Sequence, residues 1–214
     1  MTGSQQEMES GISGEKHWVP AHRSIKTYDQ FYGPTDEFFN WSREKVSQLQ
    51  EQTSLTNSEA YFRRILATKQ GGGIRNATWR IFDPGIVLNT VLAYQPLTPN
   101  DDTDFEFDAE SVMSQKYVMG VLNSSFIDAL MDNLLNRVGQ TTVGTRLLPI
   151  IVPTEEQEQQ VVEIVEEAIQ LQEDRVEQLD KADSDKMDSI IERLDSVVQQ
   201  IYDLEPVEDG HSHG

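Results

Sequence analysis

The hydrophobic pattern changes period several times along the chain, and each change marks an element. Thr35 follows Pro34 and precedes Asp36 and Glu37, an N-cap with acids in the first turn. Phe38/Phe39, Ser42, Val46 and Leu49 recur at helical spacing, which predicts a helix over 35–51. The period then drops toward two. The runs YFRRILATK, IRNATWRIF and IVLNTVLAY end at Gly71-Gly72-Gly73, Asp83-Pro84-Gly85 and Gln95-Pro96, predicting a three-stranded antiparallel meander. On its middle strand Ala77, Trp79 and Ile81 share a core face, while Asn76, Thr78 and Arg80 share a polar one.

From Lys116 onward Val118, Val121/Leu122, Ser125/Phe126, Ala129/Leu130 and Leu134 return to helical spacing, predicting one helix across the sheet. Leu147–Val152 is short and wholly apolar, the pattern of a buried strand. Beyond Pro153, Thr154 can cap a helix whose first turn holds Glu155 and Glu156. Val162, Val165, Ile169, Gln172, Val176 and Leu179 form one stripe; Met187, Ile190, Leu194, Val197, Ile201 and Leu204 form another. DKADSD between them lacks apolar residues and offers Asp183 or Ser184 as a new N-cap, so two helices in an antiparallel hairpin are expected. The fold class predicted is α+β: a small antiparallel or mixed sheet with packed helices, followed by a long, coiled-coil-like C-terminal hairpin. The expected divisions are a disordered lead-in over 1–24, an α/β body over 25–153, the hairpin over 154–204 and a disordered tail over 205–214.

Charge changes this picture. The net charge is −20 over 214 residues. Residues 1–100 contain ten Lys/Arg and ten Asp/Glu, so all of the excess lies beyond them. Within the neutral half, Tyr61 to Phe82 carries Arg63, Arg64, Lys69, Arg75 and Arg80 without a single acid. Salt screens charges beyond about 8–10 Å, so this local patch decides whether phosphate can approach. The acid excess itself fits a high-salt cytoplasm, where strong net charge keeps proteins soluble. With no cysteine, disulfides and thiolate metal sites are excluded. No run approaches the roughly 18 apolar residues of a membrane span, and the N-terminus lacks the basic and apolar regions of a secretory signal.

The stretch Tyr117–Gln160 contains Leu122-Asn123-Ser124, Gly144-Thr145-Arg146, Leu148-Pro149-Ile150 with Pro153, and Glu156-Gln157, in that order. This order resembles the TaqI-like C-terminal specificity domain of adenine-specific DNA methyltransferases and fused restriction-modification enzymes. IIERLDSVVQQIYDL, near the end, is similar to the closing helix of the fused enzymes. The resemblance covers roughly Ala60 to Leu204, and Pro99–Glu110, an acidic loop, falls where that family carries variable insertions. It implies sequence-specific binding of double-stranded DNA on behalf of a methyltransferase or restriction subunit. The catalytic parts are missing: there is neither a Gly-rich cofactor motif nor an Asn/Asp-Pro-Pro-aromatic motif. Acting alone, the chain is expected not to methylate or cut. No cofactor is expected on it, and S-adenosylmethionine belongs to a separate catalytic domain.

The candidate DNA contacts follow from residue chemistry. Arginine grips phosphate or reads guanine, and strand Asn or Thr can reach base edges. These considerations select Arg63, Arg64, Lys69, Arg75, Asn76 and Arg80 on the sheet, with Thr145 and Arg146 in the Gly-bearing loop. The competing reading is a solvated sheet face whose arginines pair with the acidic half. Gly71-Gly72-Gly73 lacks a following Gly-Lys-Ser/Thr and reads as a turn; His211 and His213 read as a frayed end. Two rival functions remain: half of a type I-style specificity subunit that dimerises through the hairpin, and an acidic interaction protein or DNA mimic.

Overall fold

The computed structural model of the chain describes residues 10–22, 30–32, 37–52, 60–69, 78–87, 91–94, 113–135, 148–178 and 184–204. Among them are five helices and two three-stranded sheets, an α+β fold as expected. The first sheet joins β1 (Trp18–His22), β2 (Phe38–Asn40) and β5 (Ile86–Val87) in the order β2-β1-β5. The second joins β3 (Ile65–Lys69), β4 (Trp79–Phe82) and β6 (Val91–Tyr94) in the order β4-β3-β6. The helices are α1 (Arg43–Gln52), α2 (Gln115–Leu122), α3 (Ser125–Leu135), α4 (Glu155–Gln178) and α5 (Ser184–Ile201).

Several expectations need correction. The lead-in over 1–24 contains β1, whose Val19 is fully buried in a core with Trp41, Val46 and Ile86. The helix expected over 35–51 begins only at Arg43, because Phe38 and Phe39 obey strand alternation instead. Asn40 Oδ1 accepts from Ser42 N at 3.0 Å, and Ser42 Oγ accepts from Lys45 N at 3.4 Å, so the cap sits seven residues later than Thr35 suggested. The sheet is antiparallel but not a meander. IVLNTVLAY divides, with Ile86 and Val87 pairing in parallel with Ala21 and His22 while Val91–Tyr94 pairs with β3. β3 is therefore the middle strand, in place of β4.

The single helix expected from Lys116 breaks at Asn123-Ser124. Ser114 Oγ caps α2 by accepting from Tyr117 N at 3.1 Å, and Ser114 N donates to Glu158 Oε1 of α4 at 2.7 Å. At the break the Asn123 side chain leaves the helix for the sheet. Its Nδ2 donates to Trp79 O and its Oδ1 accepts from Trp79 N, both at 2.9 Å. This amide pair, joined by Phe31 N donating to Trp79 O at 3.0 Å, satisfies backbone groups of Trp79 at the edge of the second sheet. Ser125 then starts α3 with its N and Oγ both donating to the Asp195 carboxylate of α5, at 2.8 and 2.7 Å. That places a negative charge where the α3 dipole favours one.

Leu147–Val152 was expected to form a buried strand. Residues 148–152 form none, and Ile151 and Val152 are exposed. Two tyrosines hold the segment instead: Tyr117 Oη donates to Ile151 O at 2.9 Å, and Tyr202 Oη donates to Pro149 O. Burial, with Tyr202 and Glu158 nearby, pushes the Tyr117 hydroxyl up to about 12, which keeps it a donor. Thr154 and Gln157 form a reciprocal capping box, with Thr154 N to Gln157 Oε1 at 2.9 Å and Gln157 N to Thr154 Oγ1 at 3.3 Å.

The hairpin shares a core with the sheet and with α2. Its buried side chains Val161, Val165, Leu194 and Val198 share one core with Leu66 and Trp79 of the sheet and with Met119 and Val121 of α2. The buried stripe of α4 runs through Val161, Ile164, Val165, Ala168 and Gln172, offset from the predicted one. α4 is covered on two sides, by α2 and α5, so a single-seam pattern could not describe it. α5 ends where Asp203 takes a left-handed φ of 51°, with Leu204 N donating to Gln199 O at 3.0 Å.

Gly120 sets the depth of the crossing of α2 on α4. A Cβ there would lie 2.5 Å from Val161 Cγ1 and 2.9 Å from Val165 Cγ2. Gly120→Ala should therefore lower stability by about 1–3 kcal/mol through overpacking, although alanine is the better helix former by about 1 kcal/mol. Urea unfolding checks it, and an unchanged midpoint would show that the crossing yields. Asn123→Leu, similar in size, removes both amide bonds to Trp79, leaves Trp79 O to its Phe31 donor, and should cost about 1–3 kcal/mol. A loss below about 0.5 kcal/mol, within the range of ordinary surface changes, would sink that account.

Candidate nucleic-acid interface

The register of the second sheet fixes which candidate residues can act together. Ala67 lies opposite Arg80, Ile65 opposite Phe82, Leu66 opposite Ile81 and Thr68 opposite Trp79. Cross-strand partners share a face, so Leu66, Trp79 and Ile81 point into the helix layer while Ile65, Ala67, Arg80 and Phe82 point the other way. Trp79 and Ile81 thus take the core face expected of them. The opposite face, expected to be polar and open, is closed as well. Ile65, Ala67 and Phe82 pack there on Ala60 and Val87, so the second sheet is buried on both sides.

Arg80 consequently sits inside this second core, only 4% exposed, and Thr78 is buried too. The Arg80 guanidinium lies 4.1 Å from the centre of the Phe82 ring. His22 stacks on the same ring, with centroids 4.1 Å apart and planes 17° apart. One phenyl ring therefore gathers a strand of each sheet. His22 Nε2 donates to Asp83 O at 2.8 Å, while Nδ1 is buried without a hydrogen bond among the described residues. Gly85 makes this seat possible, because a Cβ would come within 2.6 Å of Pro20 O and 2.8 Å of His22 Nε2.

Burial lowers the His22 pKa below 6.5, and the neighbouring Arg80 cation lowers it further. The Asp83 carbonyl and carboxylate act in the opposite sense without prevailing.

Arg63 and Arg64 are placed differently. Both are exposed, in the turn that leads into β3. Phe62, with a φ of 58° and its N donating to Gly85 O at 2.7 Å, fixes the start of that turn. Gln115 Nε2 donates to Arg64 O at 3.2 Å from the first turn of α2. Lys69 ends β3 opposite Val91, about 17 Å of strand away from Arg64. The fold thus brings Arg63 and Arg64 together, puts Lys69 at the far end of the strand and buries Arg80 between them. Arg75, Asn76, Thr145 and Arg146 lie outside the described residues, as do the Gly71–Gly73 turn, the Pro99–Glu110 loop and the 205–214 tail. Among the described residues no cluster of His, Asp or Glu could hold a metal ion, and no helix is long and apolar enough to cross a membrane.

Sequence reasoning missed His22, which is preceded by Pro20-Ala21 inside a segment read as a polar lead-in. The signal was present in the alternation Trp18, Val19, Pro20, Ala21, but proline obscured it. The chain matches no known protein-family model and no curated protein.

The His22 seat predicts an acid dependence. The unfolded chain takes up a proton near pH 6.5, whereas the folded one does so only at lower pH. The contribution of His22 is complete above 6.5 and is lost as pH falls through the folded value. His22→Gln should therefore flatten the fall in urea midpoint between neutral pH and about pH 5. Parallel wild-type and variant curves would assign the acid dependence to other groups.

Proposed function

We propose that this chain is a non-catalytic DNA target-recognition module of a restriction-modification system. It would bind duplex DNA on behalf of a separate adenine methyltransferase or restriction subunit. One observation supports the reading: described residues of the specificity-domain resemblance hold the joints of the fold. Asn123 of Leu122-Asn123-Ser124 holds the sheet edge, Tyr117 and Tyr202 hold the Leu148–Pro153 segment, and Gln157 closes the cap of the helix after it. Tyr202-Asp203-Leu204 behaves likewise, supplying in turn a clamp, a left-handed residue and the closing N–H.

The burial of Arg80 moves the contact surface away from the sheet face. Exposed Arg63 and Arg64 take over as phosphate ligands beside α2, and residues 70–77, with Arg75 and Asn76, remain the candidates for base reading. Acidic residues elsewhere interfere little in the high-salt cytoplasm that the composition suits, because there the screening length falls to a few ångströms. Exposed carboxylates along α4 and α5, among them Glu155, Glu156, Glu163 and Asp188, favour a second reading as an acidic interaction protein. That reading predicts inhibition of a DNA enzyme without DNA binding.

Selection from random duplexes in concentrated KCl, followed by sequencing, should enrich one motif. Replacing Arg63 and Arg64 together by alanine should weaken binding about equally on all sequences and lower the salt slope by about two. Failure to enrich any motif, with and without a methyltransferase subunit, ends the proposal.

A further inference from the structure

We infer that His22 is an acid-sensitive latch on the turn that presents Arg63 and Arg64. Protonating it frees that turn while the helix core stays closed. The His22 ring, 1% exposed, belongs to the first sheet and stacks on Phe82 of the second. Its Nε2 donates to Asp83 O at 2.8 Å, and Ala21 and His22 pair with Ile86 and Val87 just beyond. Between these points stands Gly85, whose carbonyl accepts from Phe62 N at 2.7 Å. β1 thus grips both flanks of the residue that anchors the turn. Phe62 itself has a φ of 58°, a left-handed conformation that phenylalanine seldom adopts and that its surroundings must hold. Besides Gly85 it touches Trp41, with ring centroids 5.5 Å apart, and Trp41 lies in the core of the first sheet. Loosening that sheet therefore loosens the turn.

The geometry of the seat opposes a proton. A charged imidazole donates from both nitrogens. Nε2 already reaches Asp83 O, but Nδ1 is buried without an acceptor among the described residues. The charged groups that face the ring are Arg80 of β4, 4.1 Å from the centre of the same phenyl ring, and Asp83 of the following turn. β5 brings only Ile86 and Val87, and β2 approaches through Glu37 O, which accepts from Ala21 N at 3.0 Å. An imidazolium there leaves one N–H unsatisfied close to a buried cation, so the closed seat resists it. Once opened to water, His22 takes up its proton near the ordinary 6.5. Acid therefore favours the opened form by up to about tenfold per pH unit below that value. The core around Met119, Val165 and Leu194 has no histidine among its described residues to respond in the same way. Where Arg63 and Arg64 hold phosphate, acid weakens that contact, and this step alone rests on the DNA reading.

Native-state hydrogen exchange followed by NMR, with rates corrected for the direct effect of pH on exchange, reads the latch without DNA. Between about pH 7 and pH 5 the Phe62 and Ala21 amides should lose protection about fivefold or more, while those of Val121 and Val165 keep theirs. His22→Gln, which cannot take the proton, should abolish the loss. Should that variant fail to fold, the ring signal of the wild-type protein decides, and it should titrate below 6.5. Equal loss at all four amides, an unchanged Phe62 amide, a loss that persists in His22→Gln, or a His22 ring that titrates at 6.5 or above each overturns the inference. In the duplex-binding assay, affinity should fall over the same interval. No binding at any pH removes the DNA reading and leaves the latch to the exchange result, whereas affinity that holds constant through the opening overturns the regulatory step.

Discussion

The side-chain amide of Asn123, paired to both backbone groups of Trp79, is the contact on which the rest of the architecture depends. A sheet edge facing a helix layer presents N–H and C=O groups that neither water nor an apolar side chain can satisfy there. Asn123 satisfies them by ending α2, and that break allows α3 to start in a new direction. Once α3 begins at Ser125, its first N–H groups need a partner in turn, and Asp195 of α5 supplies one. Sheet, central helices and hairpin are thus tied by polar bonds whose partners lie on different elements. The apolar core around Met119, Val165 and Leu194 fills in between them.

Much of this was legible in the sequence. Period and punctuation gave the helical hairpin, the Thr154 cap and a three-stranded antiparallel sheet. What failed did so for physical reasons. Phe38 and Phe39 suit a helix and a strand equally well until Ser42 competes with Thr35 for the cap. The division of IVLNTVLAY between two sheets leaves no trace in its residues, because parallel pairing with Ala21 and His22 is a long-range event. Leu148–Val152 is apolar enough for a strand, yet tyrosine hydroxyls hold its carbonyls, and a pattern of hydrophobicity cannot register that.

The candidate site was less legible than the fold. Arg80 was assigned by alternation to a polar face, and alternation did place it opposite the helix layer. Alternation cannot say whether that face meets water or a second sheet, and the covering residue His22 comes from a distant part of the chain. The same logic favours Arg63 and Arg64, which precede the strand and escape its burial. A cationic segment without acids identifies where phosphate can be drawn, while topology decides which cations remain available to it.

The bond from Tyr202 to Pro149 spans 53 residues, and that from Asn123 to Trp79 spans 44. Contacts so far apart in sequence cannot form until both ends have left the ribosome. Synthesis at roughly 5–20 residues per second leaves the apolar faces of α2 and the sheet waiting seconds for α5. Through that interval those faces stay open to non-native contacts. The long-range bonds that tie the finished fold therefore also set how long its core waits to close.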